Sequence, residues 1–263
     1  MDEAPDLRTT LRHVTVTRYV SPFMEGGSMP GLVEADDEGL YVLKFRGAGQ
    51  GVRALVAEVL VGELARTAGF RVPELVYAQL GPELGRNEPH DEIRDLLNAS
   101  VGLNVGLDYL PGSQTFDPLA DDPVEPDFAA LLVTFDALTL NVDRTPRNPN
   151  LLCWHRQPWL IDHGAALYVH HGWDDWEARA TARFPLLDTH VLRPQAGDLG
   201  AAAGQLQRAL TPEVLERCIA LLPEEWLAAD PAFDAAVGVR DAYRTFLTRR
   251  LEALPSIVSG GAA

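Results

Sequence analysis

Lysine has almost vanished from this chain. Of its 22 Lys and Arg residues, 21 are Arg and one is Lys, at position 44. Arginine in place of lysine is a drift of composition. The surviving Lys is informative for its position, since a compact ammonium and a forked guanidinium are not interchangeable at a tight phosphate site. Cysteine is scarce too: Cys153 and Cys218 are the two in 263 residues, each in an apolar run. That excludes a disulfide framework and reads as two buried free thiols of a reducing compartment. Positive charge is short as well, with 22 basic against 38 acidic residues and a net charge of -16. A uniformly acidic surface repels phosphate backbones, which excludes general nucleic-acid binding but leaves room for one local phosphate site. No apolar run approaches the roughly 18 residues that span a bilayer. The opening MDEAPDLRTT has no apolar signal core. The expectation is a cytoplasmic protein without membrane insertion.

What is present is ordinary for a globular protein, 46% apolar and 23% charged. The length suits one two-lobed domain. HVTVTRYV alternates and is rich in β-branched residues, which predicts a strand. SPFMEGGSMPG is a turn cluster. GLVEADDEGLYVLKF predicts a hairpin turning at 36–39. GVRALVAEVLVGELARTAG carries helical spacing and stops on Gly69. RVPELVYAQL and VGLNVGLDYLPGS predict two more strands, so the opening third is mostly strands with one helix. PLADDPVEPD is the best linker. After it DFAALLVTFDALTLN predicts an apolar helix, and NLLCW and PWLID two short strands. Helices are predicted around 173–183 and 199–210, then over 212–227 and 231–251, with a disordered tail SIVSGGAA. No internal repeat is visible.

The stretch LTLNVDRTPRNPNLLCWHRQPWLIDHGAAL sets Asp143, Asn148 and Asp162 around a turn and an apolar hairpin. Two carboxylates alone would suit a hydrolase, but that leaves Asn148 and Lys44 without a purpose. His155, His163, His170 and His171 lie close together, yet none has a recognised zinc spacing with a Cys; turns and rims are their expected places. Phosphoryl transfer uses every part. It needs an Asp near the nucleophile, an Asn and an Asp with hard oxygen ligands for Mg²⁺, and a Lys on the nucleotide phosphates. Asp-x4-Asn after an apolar helix, a short hairpin, then apolar-Asp-x-Gly is the kinase order. An independent test lies upstream. Lys44 sits on the predicted strand YVLKF, one helix away from Glu58, with Glu63 as the rival partner, and EGGSMPG precedes it with backbone N–H groups for phosphates.

At GGSMP, YVLKF, GQGVRALVAEVLVGELARTAGFRVPE, NVDRTPRNPNLL and LIDHGAAL the sequence resembles the HipA-like kinases, especially their short single-domain relatives. The Asp-Arg…Asn…Ile-Asp-His-Gly signature is also similar to phosphatidylinositol 3/4-kinases. The resemblance covers roughly residues 20 to 170. It implies an α+β, two-lobed protein-kinase-like fold, with a strand-rich N-lobe over 1–117, a hinge near 106–112 and a mainly helical C-lobe over 118–263. It implies Asp143 as catalytic base, Asn148 and Asp162 on Mg²⁺, and Lys44 on the ATP phosphates, paired with Glu58. Gly26, Gly27 and Ser28 become the phosphate-binding loop. Asp108, Tyr109 and Leu110 become the hinge that reads adenine. A protein hydroxyl is the favoured acceptor, with self-phosphorylation on Ser28 or else Ser21. A phosphatidylinositol or small-molecule acceptor and a non-catalytic nucleotide-binding regulator are the alternatives. Arg144 and Arg147 flank Asp143, to bind an acidic acceptor or to cap the loop. NVD and IDHG stand where other kinases carry H-R-D and D-F-G. The length leaves no room for the extra N-terminal subdomain of full-length HipA-like toxins, so toxin action and an antitoxin partner stay open.

Overall fold

The computed structural model describes residues 10–23, 29–86, 88–118 and 124–259. Strands β1 (Arg12–Pro22), β2 (Gly31–Ala35), β3 (Leu40–Lys44), β4 (Leu75–Leu80) and β5 (Gly102–Asp108) close into a barrel in the order β1-β2-β3-β5-β4. All neighbours are antiparallel except β1 and β4. Alternation decides which side chains fill it. Val14, Val16, Val33, Tyr41, Leu43, Val76 and Ala78 point inward. Leu75, Tyr77, Val105 and Leu107 point outward into the main core. Gly106 is required inside, because a Cβ there would stand 2.9 Å from Val76 Cγ2.

Helix α1 (Val52–Thr67) crosses the outer face of the barrel and is buried from Leu55 through Ala65. A helix apolar all round is a core helix, which accounts for its composition. A second helix, α2 (Asp91–Ala99), stands between β4 and β5, where the sequence reading had one helix in this region. Its single buried residue is Leu97, so its charged surface hid a short apolar stripe.

The chain then changes character. A small strand, β6 (Gln114–Thr115), pairs with β7 (Leu151–Trp154), which pairs with β8 (Gln157–Leu160). Helix α3 (Pro126–Thr139) opens on a proline suited to the first helical position and ends at Leu140 in the left-handed region. The short α4 (Trp176–Arg179) replaces a predicted helix over 173–183. α5 (Leu199–Ala209) follows. The predicted helix over 212–227 is two, α6 (Pro212–Ala220) and α7 (Glu224–Leu227), since Pro223 cannot continue the first. α8 runs over Ala236–Val258, later at both ends than the sequence suggests. Its interior Pro255 removes the donor to the Leu251 carbonyl, and the Gln207 side chain donates to that carbonyl at 2.9 Å instead. The predicted disordered tail therefore begins as helix, with Ile257 and Val258 buried.

Candidate active site

A cleft of about 320 Å³ opens beside the barrel, and a second of about 360 Å³ continues it past Lys44, Asn148 and Asp162. Strand alternation aims Lys44 there: Val42 and Lys44 line the cleft, whereas Tyr41 and Leu43 fill the barrel. Lys44 is 8% exposed, and its Nζ stands 2.6 Å from Asp162 Oδ1. Burial pulls the ammonium pKa down, but the carboxylates of Asp162, Glu58 and Asp143 outweigh burial and the net shift is upward. The ion pair is thus with Asp162, where the family resemblance implied Glu58; among the described residues no Lys44–Glu58 ion pair forms.

Glu58 nevertheless lines the same cavity. Burial raises its pKa, and the Lys44 charge together with His163 lowers it further than burial lifts it, so it stays a carboxylate. Its Oε1 has no hydrogen-bond partner among the described residues, nor does either ring nitrogen of His163. His163 Nδ1 stands 3.7 Å from that oxygen, beyond hydrogen-bond range. Glu63 is engaged elsewhere. Five positions along a helix turn it about 140° away from Glu58, and Arg66 Nε donates to it at 3.2 Å.

The loop after α3 carries the other half. Asp143 Oδ2 accepts from Asn148 Nδ2 at 2.7 Å and from Asn150 Nδ2 at 3.2 Å. The turn between them closes through Thr145 N–H to the Asn148 carbonyl at 3.0 Å. Beneath lies Asp136, fully buried on α3. It accepts from Arg144 Nε at 2.6 Å and from Asn141 Nδ2 at 3.3 Å, and lies 2.8 Å from His190 Nε2. Burial raises the Asp136 pKa, and Arg144 and His190 lower it further than burial lifts it. Arg144 is therefore an internal anchor and cannot meet a substrate; Arg147 is exposed. The hairpin returns the chain through Ile161, whose N–H donates to the Asn150 carbonyl at 3.2 Å. Asp162 follows with φ 55°, a left-handed conformation that turns its carboxylate toward Lys44.

At the outer end Asp108, Tyr109 and Leu110 line the cleft with Phe23 and Pro30. The Asp108 and Tyr109 N–H groups donate to the Glu74 and Leu40 carbonyls at 2.8 and 2.9 Å. The Leu110 N–H, just past the end of β5, keeps no backbone partner among the described residues. Phe23 N–H donates to the Pro30 carbonyl at 2.8 Å and closes the base of the loop that holds Gly26, Gly27 and Ser28, which lie outside the described residues. Ser21 is half-buried on β1, opposite Leu32.

The HipA-like kinase profile matches residues 16–253. The chain belongs to the HipA-like kinase family. Membership supports a kinase, hence phosphotransferase, activity. Among solved structures this HipA-like kinase is similar to the proinflammatory kinase CtkA of Helicobacter pylori, with a TM-score of 0.57 and 12% identity over 94% of this chain and 96% of that one. It is also similar to the Golgi casein kinase with Mn/ADP bound, at a TM-score of 0.48 and 15% identity over 97% of this chain and 74% of that one. At such identity the CtkA likeness establishes the fold, a kinase-like one with a strand-rich N-terminal and a helical C-terminal region. No curated protein sequence matches the chain significantly.

Sequence reasoning missed Asp136, Asn141, Asn150 and His190. It also sent His155, His163, His170 and His171 to turns and rims, whereas His163 and His170 are buried. Of the two thiols expected to be buried, Cys218 is, and Cys153 is partly exposed.

Proposed function

We propose that this HipA-like kinase transfers the γ-phosphoryl of ATP to a hydroxyl, most simply a protein Ser or Thr. The observation that carries this reading is the convergence of Lys44, Asp143, Asn148 and Asp162 on one cavity from a strand, a loop and a hairpin. Positioning and charge are what phosphoryl transfer asks of a protein. Asp143 orients the acceptor hydroxyl and takes its proton. Lys44 contacts the nucleotide phosphates, with Glu58 behind it. The hinge is Asp108 to Leu110, where the adenine amino group donates to the Asp108 carbonyl and a ring nitrogen accepts from the Leu110 N–H. Gly26, Gly27 and Ser28 supply the phosphate-binding loop, and Ser28, then Ser21, is the self-phosphorylation site.

Asn148 and Asp162 fit Mg²⁺. Both offer oxygen, the donor a hard ion takes, and no His or Cys lines either cavity among the described residues. Bound there, the ion would neutralise charge on the phosphate oxygens. The N-lobe expected over 1–117 and the C-lobe expected over 118–263 are better divided at the hinge near 106–112, a reading supported by the pairing of β6 (Gln114–Thr115) with β7 of the C-lobe. A net charge of -16 supports a protein or neutral acceptor over an anionic lipid surface.

Incubation with γ-labelled ATP and Mg²⁺, beside Asp162→Ala and followed by intact mass, tests the reading. A phosphate gained by the wild type and absent from the variant is the expected result. Tight ATP binding with no ADP formed across a panel of hydroxyl acceptors would replace it with a nucleotide-binding regulator.

A further inference from the structure

Asn150 makes three connections at once. Its Nδ2 donates to Asp143 Oδ2 at 3.2 Å. Its carbonyl accepts from the Arg144 guanidinium on one side and from the Ile161 N–H, at 3.2 Å, on the other. It is 6% exposed and lines the cleft. Its φ of 48° lies in the left-handed region, which Asn tolerates better than most residues with a Cβ.

The two amides on Asp143 Oδ2 are not equivalent. Asn148 is exposed, and in the function proposed above its amide oxygen is wanted by the cation. An amide turned to that duty withdraws its NH₂ from Asp143. Asn150 has no second duty and is pinned at its carbonyl. We propose that Asn150 is the positioning residue that holds Asp143 in its working rotamer and ties it to the hairpin end that carries Asp162. Holding Oδ2 in this way leaves Oδ1 of Asp143 for the acceptor hydroxyl.

This inference rests on the kinase reading of Asp143, and the experiment separates the two. Wild type, Asn150→Gly, Asn150→Asp and Asp143→Asn are compared for ADP formation under Mg-ATP, for ADP affinity by calorimetry and for melting temperature. Glycine keeps the left-handed backbone and removes the amide. The expected result is a kcat lowered about ten- to hundred-fold, as for a misaimed catalytic group, with KM for ATP and ADP affinity within about two-fold. Aspartate keeps the shape but sets a second carboxylate against Asp143, so it loses more than glycine; a merely structural role would give the opposite order. Asn150→Gly within about two-fold of wild type in kcat, or Asn150→Asp more active than Asn150→Gly, overturns the role while leaving the kinase reading intact. A wild type that forms no ADP, or an Asp143→Asn variant that matches it, overturns the kinase reading and this role with it.

Discussion

The two walls of the cleft are held by opposite kinds of polar chemistry. On the helical wall Asp136 gathers Arg144, Asn141 and His190 within 3.3 Å and fixes the loop above it. On the strand wall Lys44 has its close partner in Asp162, while Glu58 Oε1 and both His163 nitrogens stay without a hydrogen bond among the described residues. Buried polar groups are nearly always paired. The difference teaches that the Asp143 loop is fixed by charged protein groups beneath it, whereas Glu58 Oε1 and the His163 ring beside Lys44 are placed by packing and charge without a hydrogen bond among the described residues. Arg53 joins the walls: it stands on α1, pairs with Asp230 at 3.0 Å and donates to the His171 carbonyl at 2.9 Å.

Breaking the helical wall has the largest expected effect. Asp136→Ala strands the buried Arg144 charge, which costs about 3–5 kcal/mol. In a protein of this size that lowers the melting temperature on the order of 10 °C, and calorimetry measures it. A loss under about 1 kcal/mol would show that the loop stands without its anchor. The pH dependence has a definite sign. The folded pKa of Asp136 is depressed below its unfolded value of about 3.9. Its contribution is therefore complete well above that value and is lost as pH falls through the lower, folded pKa. Acid titration of stability should steepen below about pH 4 in the wild type and lose that part in Asp136→Asn.

The strand wall should answer in the other order. Glu58→Gln leaves Lys44 paired with Asp162 and removes a buried anion that accepts no hydrogen bond at Oε1. Stability should move by about 1 kcal/mol or less, since the cost of burying the charge offsets most of its attraction to Lys44. Phosphoryl transfer should fall at least about ten-fold if, as in the proposed function, Glu58 stands behind Lys44. Parallel melting and ADP-release assays read both. A large loss of stability with normal turnover would reverse the contrast between the walls.

The contrast also explains what the sequence made legible. Asp143, Asn148 and Asp162 lie within twenty positions and are joined by one turn and one hairpin, so local spacing revealed them. Lys44 stood out because no other Lys competes with it. Barrel strands were legible from alternation, and α1 from its continuous apolar face. The anchor was not. Asp136 lies inside an apolar run that reads as plain core, and its His190 partner is 54 positions away. Spacing left Arg144 open between an acceptor contact and a cap on the loop, because it cannot tell an inward guanidinium from an outward one; its bonds to Asp136 and to the Pro149 and Asn150 carbonyls make it the cap. The last helix reads as stopping at 251 because the donor that compensates for Pro255, Gln207, comes from another helix.

The smallest expected effect sharpens that last point, and it concerns two arginines three positions apart. Arg144 is sealed, with Nε on Asp136 and Nη1 on the Pro149 and Asn150 carbonyls. Arg147 is exposed in the same loop. Arg147→Ala should change stability by about 0.5 kcal/mol or less, the usual range for a surface position. Its consequence should be kinetic and selective. If the exposed guanidinium attracts an acidic acceptor, KM should rise a few-fold for acceptors with a carboxylate or phosphate near the hydroxyl and stay unchanged for neutral ones, and the rise should shrink in high salt. Equal KM values for acidic and neutral acceptors before and after the change would leave Arg147 a solvated loop residue and give the acidic-acceptor preference no support in this loop.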